Sequence, residues 1–242
     1  MINVLIPLSG GSKFFDSEEY FYPKMLVEIL GKPMIQHAIE NLQTLREDLQ
    51  FTFVVKKSDC TQFHLDDTLR LLTDAECKIV VLDEETKGAA CSALMAIDAI
   101  NNDDPLVIAN FDQVIDCNLS ELYDEFHNSD SDAGCLVFST THPRWSFVLL
   151  DEQDCVLETA EKRPLSRNAI AGFYCYKQGK DFVEAAKSMI LKSCSNADVF
   201  YISPTFNELI LKGKSIKALR IPNEKYHSFY TPQKIEEYEK GL

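Results

Sequence analysis

The residues best able to do chemistry fall in three clusters. The first, Ser9-Gly10-Gly11-Ser12-Lys13, follows an apolar run at residues 2–8. A strand that ends in a bendable loop and then presents a lysine is a cradle for the phosphates of a nucleotide. Glycine lets the backbone approach closely, Ser12 adds a donor and Lys13 neutralises charge. The spacing matches neither a Walker loop nor the dinucleotide pattern GxGxxG, so an ordinary surface turn stays open as the alternative. Tyr22-Pro23-Lys24 sharpens the phosphate reading, because proline restricts the backbone and holds the next lysine toward the same cleft. A solvated lysine is the alternative there.

The second cluster is Asn110-Phe111-Asp112-Gln113, which follows Pro105-Leu106-Val107-Ile108-Ala109. Ending a buried strand with Asp112 puts a carboxylate at the mouth of a sheet, where it can bind a hard cation through oxygen or cap a turn. Asp116 competes but lies beyond the strand end. The third cluster is Glu158-Thr159-Ala160-Glu161-Lys162-Arg163-Pro164. There Lys162 suits the phosphate of a second substrate and Glu161 suits its hydroxyls, with a surface ion pair as the alternative. In Asn168-Ala169-Ile170-Ala171-Gly172, small residues suit a substrate passing close to backbone, and Gly172 equally suits the start of a strand.

The other reactive side chains form no constellation. His37 falls on the apolar face of a predicted helix and reads as structural. His64, His127, His142 and His227 lack zinc-binding spacing. Ser9 and Ser12 have no base and orienting acid around them, and Cys91 lies within a predicted helix, which sets nucleophilic triad chemistry aside. Trp145 with Phe147 reads as a core or acceptor-pocket patch, since the interleaved basic residues of an RNA-stacking platform are missing. The eight cysteines show no CxxC pair and read as buried reduced thiols.

Composition narrows the partners. A formal net charge of -14 repels nucleic acid, and no arginine-rich tract offsets it. It repels an anionic substrate too, so a phosphate site needs locally placed lysines, backbone N–H groups or a divalent cation, of which magnesium is the natural one. No basic segment and signal-length apolar run opens the chain, and no apolar run is long enough to span a bilayer. The expectation is a cytoplasmic chain without a membrane partner. At 242 residues, one domain over 1–242 is expected.

These clusters need elements to position them. Strand-like runs at 3–8, 51–55, 79–82 and 106–109 are separated by helical spacing through Met34, His37, Ala38, Asn41, Leu42 and Leu45, at 63–72 and at 89–100. That alternation predicts a largely parallel sheet covered on both sides, with ligands at the carboxyl ends of the strands. Residues 9–13 and 110–113 then border one cleft. Beyond a helix at 119–126 the rhythm changes to strands at 134–139, 146–150, 156–161 and 172–176, in a mixed or antiparallel arrangement. Helices at 181–191 and 205–211, a strand at 216–219 and a helix at 232–240 follow.

Taken in order, the motifs resemble the sugar-1-phosphate nucleotidyltransferase superfamily, especially members of surface-polysaccharide pathways. The resemblance rests on the glycine-containing loop, Pro23-Lys24, Gly31-Lys32-Pro33-Met34-Ile35 and Asp83-Glu84-Glu85-Thr86-Lys87-Gly88-Ala89-Ala90. It continues through Asn110-Phe111-Asp112-Gln113, Glu161-Lys162-Arg163-Pro164 and Phe200-Tyr201-Ile202-Ser203-Pro204-Thr205. It implies a Rossmann-like, three-layer α/β fold with a predominantly parallel central sheet and a mixed acceptor-side extension. It also implies a magnesium-dependent transfer of a nucleoside monophosphate from CTP, UTP or dTTP to a sugar phosphate or other phosphorylated acceptor, in a possible homo-oligomer. By the same resemblance Gly10, Gly11, Ser12 and Lys13 surround the triphosphate, Lys24 reaches phosphate oxygens and Gly88 lies near the base. Asp112 binds magnesium, and Glu161, Lys162 and Gly172 hold the acceptor. The chain departs from the family pattern in a shorter opening with Lys13 where arginine is more frequent, and in Phe111 before the acid. It departs also in Tyr226-His227-Ser228-Phe229-Tyr230-Thr231-Pro232, which lacks the second metal-binding aspartate of many members. A catalytically reduced nucleotide-binding regulator or structural protein is the alternative reading.

Overall fold

A mostly apolar sequence, interrupted only by buried Asn3, sends the first strand to the centre of the molecule. In β1 (Ile2–Pro7), Val4 and Ile6 feed one hydrophobic layer and Leu5 the other, so the strand is covered on both faces. The structure, a computed structural model, describes residues 1–11, 14–15, 20–193 and 199–241, Ser193 by its backbone alone. β1 lies between β4 (Leu49–Lys56) and β6 (Leu106–Ala109), parallel to both, and β5 (Cys77–Leu82) adds parallel to β4. A hairpin of β2 (Glu28–Ile29) and β3 (Lys32–Pro33) turns through Leu30 at φ 51° and Gly31 at φ 77°. A type I′ turn demands those two positive dihedrals.

The second half continues the same sheet with reversed direction. β11 (Asn168–Tyr176) runs antiparallel to β6, to β8 (Ala133–Ser139) and to β9 (Ser146–Leu150). β10 (Val156–Glu161) pairs antiparallel with β9, and β12 (Ile216–Arg220) pairs parallel with β8. β7 (Gln113–Ile115) leaves the sheet directly after β6 and pairs with β13 (Tyr226–Ser228), two short strands that the sequence pattern does not announce. The expected α/β, Rossmann-like arrangement with a parallel half and a mixed half is what the chain forms.

Helices sort onto the two faces by their apolar stripes. α1 (Met34–Gln43), α3 (Leu65–Leu72) and α6 (Leu119–Asn128) cover one layer; α4 (Ala89–Leu94), α5 (Ile97–Ile100), α7 (Gly179–Ser193) and α8 (Thr205–Leu211) cover the other. Two predicted helices are broken. Helix 63–72 divides at His64, whose φ of 53° separates α2 (Lys57–Phe63) from α3, because fully buried Leu65 and Leu69 must turn inward while α2 buries nothing. Helix 89–100 breaks at Ala96, and α5 brings the Ile100 carbonyl to within 2.0 Å of where a Cβ on Gly179 would stand. α9 (Pro232–Gly241) is pinned by a third cluster of Phe15, Ile29, Met34, Phe229 and Ile235. Cys135 and Cys175 are buried, while Cys60, Cys77, Cys91, Cys117 and Cys155 are half-buried rather than buried as expected; all seven are free thiols, and Cys194 lies outside the described residues. No described helix is long and apolar enough to cross a membrane.

Candidate active site

A cleft opens where β11 changes partner. Asn168 and Ala169 pair with β9, residues 173–176 pair with β6, and the register slips between Ile170 and Tyr174. Gly172 sits at the slip with φ 55°, and a Cβ there would come within 2.4 Å of Asn110 Nδ2 and 2.5 Å of Gln113 Oε1. Its carbonyl accepts from the Asn110 N–H at 2.9 Å and from Gln113 Nε2 at 3.0 Å. Glycine is therefore required where the loop after β6 is fastened to the bulge. Gly172 lies inside a strand, not at its start. The cleft is a cavity of about 220 Å³ lined by Asp112, Arg144, Trp145, Glu161, Gly172 and Tyr230, among others.

Lys24 and Asp112, 88 residues apart, meet in an ion pair at this cleft. Pro23, at φ -62°, opens a one-turn 3-10 helix in which Lys24 is buried. Its side chain is 8% exposed and that of Asp112 19%, so Lys24 is not the solvated lysine of the alternative reading. Its ammonium also lies 5.2 Å from the Phe15 ring, 5.5 Å from Phe111 and 5.6 Å from Tyr230, close enough for cation–π attraction. The backbone around Asp112 is fixed from two sides. The Phe229 N–H donates to the Asp112 carbonyl at 2.7 Å. Asn41 of α1 clamps Ile115 of β7 by accepting its N–H at 2.9 Å and donating to its carbonyl at 3.0 Å.

The third cluster separates into inward and outward groups. Glu158 and Arg163 form an ion pair at 2.6 Å on the surface. Glu161 turns into the cavity, where its Oε2 accepts from Ser146 Oγ and, at 3.1 Å, from Ser203 Oγ. Lys162 takes φ 54°, an uncommon conformation for a residue with a Cβ, and its N–H donates to the Trp145 carbonyl at 3.0 Å. At the rim, its ammonium donates to Tyr201 Oη at 2.5 Å and lies 4.6 Å over that ring. The Tyr201 hydroxyl is the main cause holding the Lys162 ammonium above its ordinary pKa. Asp116 is drawn off by Lys225 at 2.8 Å and lines a wider groove of about 920 Å³ instead.

Gly88 caps α4 at φ 106°, and a Cβ there would come within 2.5 Å of the Phe200 carbonyl. The strand-end loops on either side are laced together: Phe200 N–H donates to Lys87 O at 2.7 Å, and Ala90 N–H to Phe200 O at 3.0 Å. Ser9 Oγ is 2.7 Å from Ser92 Oγ, which is 2.6 Å from Thr86 Oγ1, so the first loop starts beside the Gly88 loop. Gly10 and Gly11 have open space where a Cβ would stand and no positive φ. Ser12 and Lys13 lie outside the described residues. His37 is structural as expected, with Nε2 2.7 Å from the Ile29 carbonyl.

The sequence reading leaves out Arg144, Ser146, Tyr201, Ser203, Tyr226, Ser228 and Tyr230. Their sequence signals are indirect: Arg144-Trp145-Ser146 immediately precedes or opens a strand, Tyr201 and Ser203 lie in the 200–205 motif without an assigned role, and the 226–230 run stands out as a departure. Half-buried Tyr226 donates to Gln113 Oε1 at 3.0 Å, and desolvation of its hydroxyl pushes the phenol far above the ordinary value, as it does for fully enclosed Tyr174. Both stay neutral hydrogen-bonding groups. Phe147 is core, fully buried, while Trp145 lines the cavity.

The donor set bears on magnesium. Among the described residues no three His, Cys, Asp or Glu side chains gather to hold a metal ion. Asp112 offers one carboxylate to the cavity, and the neighbouring strand contributes Ser228 rather than a second acid. That set cannot cage a metal alone, but it fits a magnesium ion that arrives on phosphates, because Mg²⁺ keeps waters and needs only one or two carboxylates.

The chain is 26% identical over 230 residues to the UTP–glucose-1-phosphate uridylyltransferase AglF of Haloferax volcanii, covering 91% of this chain and 88% of that one. Its fold superposes with a TM-score of 0.85 on a nucleoside-diphosphate-sugar pyrophosphorylase from Vibrio cholerae RC9, at 22% identity over 99% of this chain and 100% of that one. It superposes with a TM-score of 0.77 on an inositol-1-phosphate CTP transferase from T. maritima, at 14% identity over 98% and 93%. Residues 19–202 match the nucleotidyl transferase family, and with the strand-end cleft in place this chain belongs to that family.

Proposed function

We propose that the protein transfers a nucleoside monophosphate from a pyrimidine nucleoside triphosphate to a sugar 1-phosphate or a related phosphorylated acceptor, releasing pyrophosphate, in the supply of precursors for a surface polysaccharide. An oxygen of the acceptor's phosphate attacks the α-phosphorus, and the bond from that phosphorus to the bridging β-oxygen breaks. The observation that carries the reading is the contact of Lys24 with Asp112 on the floor of a cleft that also receives Glu161. UTP and glucose 1-phosphate, in the printed name of the Haloferax relative, are the pair to try first, with CTP and dTTP beside UTP.

In this reading Gly10, Gly11, Ser12 and Lys13 surround the triphosphate and Gly88 lies near the base. Lys24 neutralises phosphate oxygens, Glu161 takes acceptor hydroxyls, Gly172 leaves room for the acceptor, and Lys162 faces its phosphate. Asp112 would hold a magnesium ion arriving with the nucleotide, and that ion would supply charge neutralisation. An acceptor phosphate is already anionic, so the chain's own residues work by alignment and charge placement and no strong base is needed.

A matrix of nucleoside triphosphates against phosphorylated acceptors, read as pyrophosphate release with product mass, tests this. Turnover is expected with one pair and is expected to fall by about a hundredfold or more in Asp112→Asn, in line with loss of one transition-state charge contact. Unchanged release in that variant would overturn Asp112's role. Nucleotide binding without release across the matrix would favour the regulator.

A further inference from the structure

Arg144 lines the cavity without an ion pair among the described residues. Arg46, Arg163 and Arg220 each pair with a carboxylate, and Arg70 and Arg167 stand exposed. Arg144 is half-buried, forms no ion pair among the described residues in a chain with 38 acidic residues, and has a buried Nε with no hydrogen-bond partner. The two acids of the same cavity are already answered: Asp112 by Lys24, and Glu161 by the hydroxyls of Ser146 and Ser203. What is left over is a set of donors on Arg144 that neither acid takes up.

The guanidinium is also held in place. Its carbon lies 4.5 Å from the Trp145 ring and 5.2 Å from the Tyr230 ring, contacts that limit its motion while leaving N–H groups unspent. A planar fork with fixed orientation and open donors suits the oxygens of a phosphate, which it engages in two parallel bonds. Position favours the acceptor side. Ser146 pairs with Glu161 in the β9–β10 ladder, and the next residues out are bound through Lys162 N–H and Trp145 O. Arg144 thus stands at the strand ends that carry Glu161 and Lys162.

We propose that Arg144 is the anion anchor of the acceptor site, binding the acceptor's phosphate through its unsatisfied guanidinium edge. This rests on the transferase reading for the identity of the ligand, but not for the presence of an anion site. Trp145 is the chain's single tryptophan and lies in contact with Arg144, so intrinsic fluorescence reports on this site.

The test titrates inorganic phosphate and glucose 1-phosphate into wild type, Arg144→Gln and Arg144→Lys, following Trp145 emission, with UTP binding measured separately by equilibrium dialysis. Wild type is expected to give a saturable change with at least one of the two anions. Arg144→Gln should raise the dissociation constant by roughly tenfold or more, the effect of losing a charge-assisted contact. Arg144→Lys, which keeps the charge and loses the fork, should remain weaker than wild type, and UTP affinity should be the same in all three. Equal anion affinity in wild type and both variants, or no saturable response in wild type to either anion, would overturn the proposal. Loss of UTP affinity in the variants in step with anion affinity would also overturn it, since the anion would then belong to the nucleotide. A wild type that binds the anions but not UTP would instead strike the transferase reading and leave the anion site standing.

Discussion

Charged side chains in this cleft are stabilised by one another more than by water, which makes single substitutions informative. Lys24 and Asp112 are both largely out of solvent. Replacing Asp112 by Asn leaves the ammonium without its partner, which is expected to cost about 3 kcal/mol in urea unfolding. Adding Lys24→Met to Asp112→Asn should recover much of that loss, because the uncompensated charge is gone. A double-mutant cycle whose two single losses simply add would show that the pair is not coupled. Arg144 predicts the opposite sign. Its orphaned Nε is a cost in the folded state, so Arg144→Met is expected to stabilise by about 1 kcal/mol, seen as a rise of roughly 2–4 °C in Tm. A group kept at a cost to stability is the usual mark of a binding site.

At the scale of elements, the cleft exists because β11 exchanges β9 for β6 along one edge and bulges between them. Gly172 occupies the bulge, and its close neighbours are the side chains of Asn110 and Gln113. Gly172→Ala is expected to lose about 2 kcal/mol from its left-handed backbone and crowding together. It should also raise the acceptor KM while sparing that of the nucleotide. Gly88→Ala should be more damaging, since its Cβ would meet the backbone of Phe200, which cannot swing aside as a side chain can; thermal unfolding of the two variants side by side checks the order. Much of this element pattern was readable in the sequence. The strand at 106–109 has the predicted ends, because four buried apolar residues follow a proline. The broken helices at His64 and Ala96 were not readable, since local apolar period carries no record of which turn must re-aim a side chain toward a distant layer.

Across the whole molecule, the carboxyl-terminal strand and helix close one side of the site, and their hold depends on pH. Burial, the largest cause, lowers the pKa of His227 below 6.5; Asp116 opposes this and Lys225 adds to it. The ring also packs 5.0 Å from Tyr238 of α9. A folded-state pKa below the unfolded value means that the neutral ring contributes stability that is present above pH 6.5 and is lost as pH falls through the folded value. Tm is therefore expected to decline as pH drops from 7 toward 5. Asp116 does not share that window, because the Lys225 hydrogen bond holds its carboxyl below the usual range. His227→Phe should flatten the decline; an unchanged slope in a pH series of thermal unfolding would place its origin elsewhere.

By itself the sequence determined the kinds of groups and the ends of strands at which they would stand. Alternating buried runs and helical spacing dictate a parallel sheet, and a carboxylate after Ala109 or a lysine after Pro23 then stands at its carboxyl edge. Only the tertiary structure decided which of those groups touch. Lys24 reaches Asp112 because β1 lies next to β6, a pairing set by long-range sheet order that no local period encodes. Arg144 reads as one more basic residue until folding packs it against aromatic rings and gives Asp112 and Glu161 other partners. Charge compensation is a property of neighbours in space, and those neighbours come from segments far apart along the chain.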